Sequence, residues 1–231
     1  MKKHVFHLGI LLFVTTLVFS GCGENSMDDE PKSNIRSIVS FIIKPAPNAG
    51  NVQIQHQGII DEANKTITIK LPQHLDLTAI RPSIIAGPWA TVYPQNLEAV
   101  DLTVDGFEYT VTAQSGKQAV YTVIKDMSYL YSKAQIYALS FPEIIDPETG
   151  EPVRTLAVES AKTIRVEVPK GTNITHLTPV LELSPDSYNA VFTQPWDTPQ
   201  DFTSPVSYTL TSEDKSKTVT YTVTVVERQE D

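Results

Sequence analysis

The chain has one cysteine in 231 residues. No intrachain disulfide can form, so any folded part must be held by its core alone. Five histidines are present, and His56, His74 and His176, the three beyond the first ten residues, stand at no metal-ligand spacing to one another. Gly-x-Ser-x-Gly, a Gly-rich phosphate loop and His-Glu-x-x-His are all missing. The acidic run Asp146-Pro147-Glu148-Thr149-Gly150-Glu151 has calcium-like chemistry, but its spacing is not that of an EF-hand loop. Its Pro and Gly are ordinary turn residues. Basic charge is scarce, with 18 Lys and Arg against 27 Asp and Glu, which argues against nucleic acid or anionic lipid as a partner. After the first 21 residues no window of a dozen carries a helical apolar stripe. These absences point to a protein that is not an enzyme and takes no metal or cofactor.

What is present starts with an address. Lys2 and Lys3 precede an apolar run from Leu8 to Phe19, then Ser20-Gly21-Cys22. This is the layout of a secretory signal peptide over 1–21. The run is shorter than the ~20 residues needed to span a bilayer. A lone cysteine after small residues resembles a bacterial lipobox, which implies an acylated Cys22 (the palmitate-type anchor of a lipoprotein). An ordinary cut near Gly21, leaving Cys22 as a free thiol, is the alternative. Residues 22–33 are polar, acidic and aperiodic, as a flexible tether should be. Without Lys2 and Lys3 the rest of the chain carries 16 basic against 27 acidic residues, a formal charge of −11.

The remainder says nearly the same thing twice. Ser40-Phe41 recurs as Ser140-Phe141. Thr66-Ile67-Thr68-Ile69-Lys70-Leu71-Pro72 recurs as Thr163-Ile164-Arg165-Val166-Glu167-Val168-Pro169. Asp76-Leu77-Thr78 recurs as Asn173-Ile174-Thr175, Asp101-Leu102-Thr103 as Asp201-Phe202-Thr203, Tyr109-Thr110-Val111-Thr112 as Tyr208-Thr209-Leu210-Thr211, and Tyr121-Thr122-Val123 as Tyr221-Thr222-Val223. Offsets stay between 97 and 100 residues, a whole domain rather than a solenoid repeat. Apolar and polar residues alternate within each copy, the mark of half-buried strands. About seven short strands per copy, separated by Pro, Thr, Asp and Asn, predict an all-β chain of two tandem Ig-like β-sandwich domains. The expected bounds are 34–126 and 134–227, with a short junction at 127–133. Met127, Tyr129, Leu130 and Tyr131 make that junction too apolar for a free linker. Tyr109, Tyr121, Tyr208 and Tyr221 fall on the inward face of regular strands.

Aromatic residues in loops are the best candidates for a binding site. Trp196 lies in Gln194-Pro195-Trp196-Asp197, flanked by prolines, and Trp89 lies in Gly87-Pro88-Trp89-Ala90, with Tyr93 following. An exposed indole stacks on the C–H face of a sugar ring with little entropy loss, while Asp197, Gln194 or Asn96 could bond hydroxyls. The alternative is that the tryptophans plug a sandwich end or pack on neighbouring prolines. That reading is favoured for Trp89 and is evenly matched with stacking for Trp196. Trp196 aligns with Asn96, so the two tryptophans are not repeat equivalents.

The recurring Ser-Phe, Leu-Pro or Val-Pro, Asp/Asn-Leu/Ile-Thr, Asp-Leu/Phe-Thr and Tyr-Thr-Val motifs resemble the tandem Ig-like repeats of Bacteroidetes surface lipoproteins. The acidic Asp28-Asp29-Glu30 just past Cys22 resembles their surface-export signal. The resemblance covers about residues 34 to 227. It implies an outer-membrane lipoprotein anchored through Cys22 and expected to be a monomer, facing the cell exterior, with a periplasm-facing lipoprotein as the alternative. Its implied role is to bind or present polysaccharide as an accessory of a glycan-utilisation system, beside an outer-membrane transporter complex. A structural or adhesive stalk with a protein partner is the second expectation. The family has no catalytic motif to carry over.

Overall fold

Alternation in sequence becomes alternation in burial. Along Thr66–Lys70 only Ile67 and Ile69 are fully buried; along Thr163–Val168 it is Ile164, Val166 and Val168. The computed structural model describes residues 30–229. The expected signal peptide, Cys22 and most of the tether lie outside the described residues.

The first copy contributes β1 (Ile38–Ile43), β2 (His56–Gln57), β3 (Ile59–Asp61), β4 (Thr66–Lys70), β5 (Ser83–Ala86), β6 (Thr91–Tyr93), β7 (Glu108–Thr112) and β8 (Gln118–Asp126). The second contributes β9 (Ile136–Ile145), β10 (Pro152–Leu156), β11 (Thr163–Val168), β12 (Val180–Leu183), β13 (Val191–Phe192), β14 (Val206–Thr211) and β15 (Thr218–Glu227). Among the described residues there is no α-helix, and Pro185–Ser187 forms one 3-10 turn. The fold is all-β, built as β-sandwiches.

The first sandwich pairs a sheet of order β2-β1-β5 with one of order β3-β4-β8-β7-β6. The second pairs β10-β9-β12 with β11-β15-β14-β13. In each, one sheet mixes directions. β4 runs parallel to β8 with Ile67 opposite Val123, and β11 runs parallel to β15 with Ile164 opposite Val223. Period-2 alternation says which face is buried but not which neighbour a strand takes, so this pairing was invisible in the sequence. β3 covers the outer edge of β4, while β11 is an edge strand whose Arg165 and Glu167 pair with each other. Charged side chains on an edge discourage further strand addition.

Each copy closes its own core. Phe41, Ile67, Ile69, Leu102, Tyr109, Val111 and Tyr121 fill the first, and Phe141, Ile164, Val166, Phe202, Tyr208, Leu210 and Tyr221 fill the second. The repeated polar motifs are turn devices. Asp101 Oδ1 accepts both the Thr103 N–H (2.8 Å) and its hydroxyl (2.5 Å), and Asp201 does the same for Thr203 (2.9 and 2.7 Å). Asp76 and Asn173 hold Thr78 and Thr175 in the same way. A second pair of twins ties strand to turn. The Tyr121 hydroxyl donates to Glu62, which also pairs with Lys65, and the Tyr221 hydroxyl donates to Glu159, which pairs with Lys162. The Tyr109 and Tyr208 hydroxyls, equally buried, have no hydrogen-bond partner among the described residues.

The segment between the copies is packed on both sides. Tyr131 is fully buried. Its N–H donates to Glu213 Oε2 (2.9 Å), and its carbonyl accepts the Asp214 N–H (3.2 Å). Tyr129 donates its N–H to the Leu71 carbonyl (3.2 Å) and meets the buried His56 edge-on at 4.8 Å. Burial lowers the pKa of His56 and raises that of Tyr131 to about 12.

Candidate functional site

In both sandwiches the chain crosses from one sheet to the other through the same four-residue turn. In the first it is Gly87-Pro88-Trp89-Ala90, between β5 and β6; in the second it is Ser187-Tyr188-Asn189-Ala190, before β13. The fourth N–H returns to the first carbonyl at 3.1 Å in each. The third residue is left-handed in each, Trp89 at φ +63° and Asn189 at φ +59°. A turn with proline second and positive φ third is a type II pattern, which calls for Gly or Asn at the third position. Asn189 meets that demand and Trp89 violates it. A bulky side chain in the left-handed region costs about 1–2 kcal/mol, and such outliers cluster at functional sites.

The cost is not recovered by packing. Trp89 is 76% exposed, which overturns the expectation that it plugs a sandwich end. Tyr93, at the end of edge strand β6, is 68% exposed. Val92 between Thr91 and Tyr93 packs on the core, so β6 keeps Tyr93 on its outward face. The turn itself is firmly seated. Gly87 donates its N–H to the Ser37 carbonyl (2.8 Å), and a Cβ at Gly87 would lie 2.5 Å from Ile35 Cγ2. A larger residue there would push the Ile35 and Ser37 side chains aside, because the turn rests directly on the incoming chain.

Trp196 is placed differently. It packs against the second core, its ring centroid 5.4 Å from that of Phe192, which in turn meets Tyr208. An open groove of about 490 Å³ runs past Phe192, Gln194, Trp196 and Asp197. The Gln194 side chain is committed to the fold. Its Nε2 donates to the Ser207 carbonyl (2.5 Å) and its Oε1 accepts the Thr193 hydroxyl (2.6 Å). Asn96 is committed too, accepting the Ile84 N–H at 2.7 Å. Asp197 is exposed. The five candidates thus fall on two sites: Trp89 and Tyr93 on the first sandwich, and Trp196, Gln194 and Asp197 on the second.

A third feature escaped the sequence reading. Tyr188, the twin of Pro88, stacks on His74 of the first copy with ring centroids 4.1 Å apart and planes 24° apart. The two residues are 114 positions apart in the chain, and nothing in local patterning joins them. Elsewhere, Asp146 binds its own turn N–H groups and the guanidinium of Arg228 (2.7 Å), so the acidic run closes the β9–β10 hairpin. Among the described residues no group of three or more His, Cys, Asp or Glu is arranged to hold a metal.

No curated protein matches the sequence. Solved structures resemble part of it, among them two from Bacteroides. One is a candidate glycoside hydrolase from Bacteroides thetaiotaomicron VPI-5482, 29% identical over 45% of this chain and 28% of that one, with a TM-score of 0.34. The chain thus spans just over a quarter of that protein's length. The other is a candidate secreted protein from Bacteroides fragilis NCTC 9343, 17% identical over 44% of this chain and 100% of that one, with a TM-score of 0.30. The family described as "SGBP, N-terminal" matches twice, over residues 39–124 and 145–225, once on each sandwich. With that match over most of its length, the chain belongs to the SGBP N-terminal family, a domain family of Bacteroidetes glycan-utilisation surface proteins.

Proposed function

We propose that this protein binds polysaccharide without transforming it, and that Trp89 is the principal contact. The observation that carries the proposal is the indole held 76% exposed in a left-handed turn whose twin bears the expected asparagine. Strain without burial is explained by what the side chain offers to solvent, a flat apolar face of the kind that stacks on a pyranose ring. Tyr93 on the neighbouring edge strand adds a second exposed ring. Trp196 serves mainly as packing for the second core, leaving its outer edge and Asp197 accessible.

In this reading Cys22 is acylated, residues 22–33 form the tether, and two Ig-like domains (34–126 and 134–227) stand outside the outer membrane, joined by the 127–133 junction. The protein works beside an outer-membrane transporter complex and passes on sugar that it does not cleave. A rigid stalk is the second reading; the packed junction around Tyr131 and Glu213 favours it.

Electrophoresis through gels containing soluble polysaccharides tests the proposal. The full chain should be retarded by at least one neutral polysaccharide. Trp89→Ala should weaken that binding by about 1–3 kcal/mol, as for an interface anchor. Retention on no gel would leave the stalk, and release of reducing ends would make the protein an enzyme.

A further inference from the structure

The stacked pair His74–Tyr188 stands beside a cleft that neither tryptophan site uses. Its lining comes from both copies: Gln73 and His74 from the loop after β4, Tyr129 and Leu130 from the junction, and Asn189 and Glu213 from two turns of the second copy. Its volume is about 370 Å³, within the range of small-ligand sites, which favour the seams between domains.

The chemistry is mixed in a specific way. Tyr188 remains 38% exposed although stacked on His74, and Leu130 is 52% exposed. Leu130 and the Tyr129 ring in the wall, with Tyr188 at its margin, provide apolar surface. Glu213 takes the Tyr131 N–H on Oε2 and the Asn189 Nδ2–H on Oε1, both at 2.9 Å. Each carboxylate oxygen has a further acceptor site. The Gln73 side chain makes no hydrogen bond among the described residues, and Asn189 Nδ2 has a second N–H to give. Ring faces, a carboxylate fixed by two donors and two side-chain amides are what a sugar's C–H face and hydroxyls require. Glu213 and nearby Asp186 and Asp214, in a chain with an excess of acids, disfavour an anionic glycan.

We infer that this cleft is a second carbohydrate subsite, selective for neutral pyranosyl polysaccharides, an inference that rests on the glycan-binding reading above. Because its walls belong to both sandwiches, a sugar chain there bridges them.

The test is affinity electrophoresis of the full chain on xyloglucan, galactomannan and mixed-linkage β-glucan, with polygalacturonate as the charged comparison. Variants are Trp89→Asn, Gln73→Ala, His74→Ala and Trp89→Asn combined with Gln73→Ala. The inference predicts that Gln73→Ala and His74→Ala each weaken binding severalfold on a gel that retains the wild type. It also predicts that the double variant loses the retardation left by Trp89→Asn, and that polygalacturonate retains none of them. Gln73 is exposed and unbonded, so its replacement leaves the fold intact even if His74→Ala does not. Adding a soluble oligosaccharide from the retaining polysaccharide should shift the side-chain amide NMR signals of Gln73 and Asn189. Wild-type retardation in both variants with unmoved amide signals would overturn the subsite while leaving the Trp89 proposal standing. Retention of the wild type on no neutral gel would overturn both.

Discussion

The turns Gly87–Ala90 and Ser187–Ala190 share one backbone and differ in what they carry. In the second sandwich the turn obeys its own chemistry. Asn189 takes the left-handed position and bonds Glu213, while Tyr188 stacks on the first copy. In the first, the left-handed position holds a tryptophan that touches little and faces solvent. A duplicated fold thereby supplies its own control, since the twin shows what the position needs for folding. On the reading proposed above, what Trp89 adds serves recognition and not the fold.

The largest effects should be equal in the two copies. Ile69→Ala and Val166→Ala each empty a fully buried site and should each cost about 2–4 kcal/mol in urea unfolding. A loss under about 0.5 kcal/mol in one copy alone would break their equivalence. The tryptophans should then separate. Trp196→Ala removes packing on Phe192 and should cost about 2 kcal/mol of stability with little change in polysaccharide binding. Trp89→Ala should do the reverse. If Trp196→Ala proves the variant that abolishes binding, the assignment of roles is inverted.

Smaller differences lie in the tyrosines. Tyr121→Phe breaks the bond to Glu62 and should cost about 1 kcal/mol, whereas Tyr109→Phe removes a buried hydroxyl with no partner and should be neutral or stabilising. Equal losses would mean that the Tyr109 hydroxyl has a partner after all. The smallest prediction concerns acid. Hydrogen bonds from the Thr78 hydroxyl and N–H hold the Asp76 carboxyl below its ordinary range, so its contribution is present above about pH 4 and is lost as pH falls through the lowered value. Its twin Asn173 does not titrate. Asp76→Asn should therefore reduce the drop in urea midpoint between pH 7 and pH 3, and an undiminished drop would assign the acid sensitivity elsewhere.

Much of this architecture was legible in the sequence because alternation reports burial directly. The repeated Ile-x-Ile and Tyr-Thr-Val runs become core strands, and the Asp-x-Thr motifs become bonded turns. Alternation is silent about partners, which is why the parallel β4–β8 and β11–β15 pairs and the His74–Tyr188 stack emerged only with the fold. The site was half legible. Loop aromatics and amides were visible as residue types, but Gln194 and Asn96 turned out to bond backbone groups that only the folded sheet brings near. The exposure of Trp89 had one readable signal. Aligning Gly87-Pro88-Trp89-Ala90 on Ser187-Tyr188-Asn189-Ala190 sets a tryptophan against an asparagine in a turn, and sequence reasoning that placed Trp89 at a sandwich end overlooked it.

Trp89→Asn writes the second copy's turn into the first and tests the central claim most directly. Melting temperature and polysaccharide binding should be measured on the same sample. The account predicts that melting is unchanged or raised, by relief of about 1 kcal/mol of backbone strain, while binding is weakened by about 1–3 kcal/mol. Lowered melting with binding intact would show that Trp89 serves the fold and not the ligand.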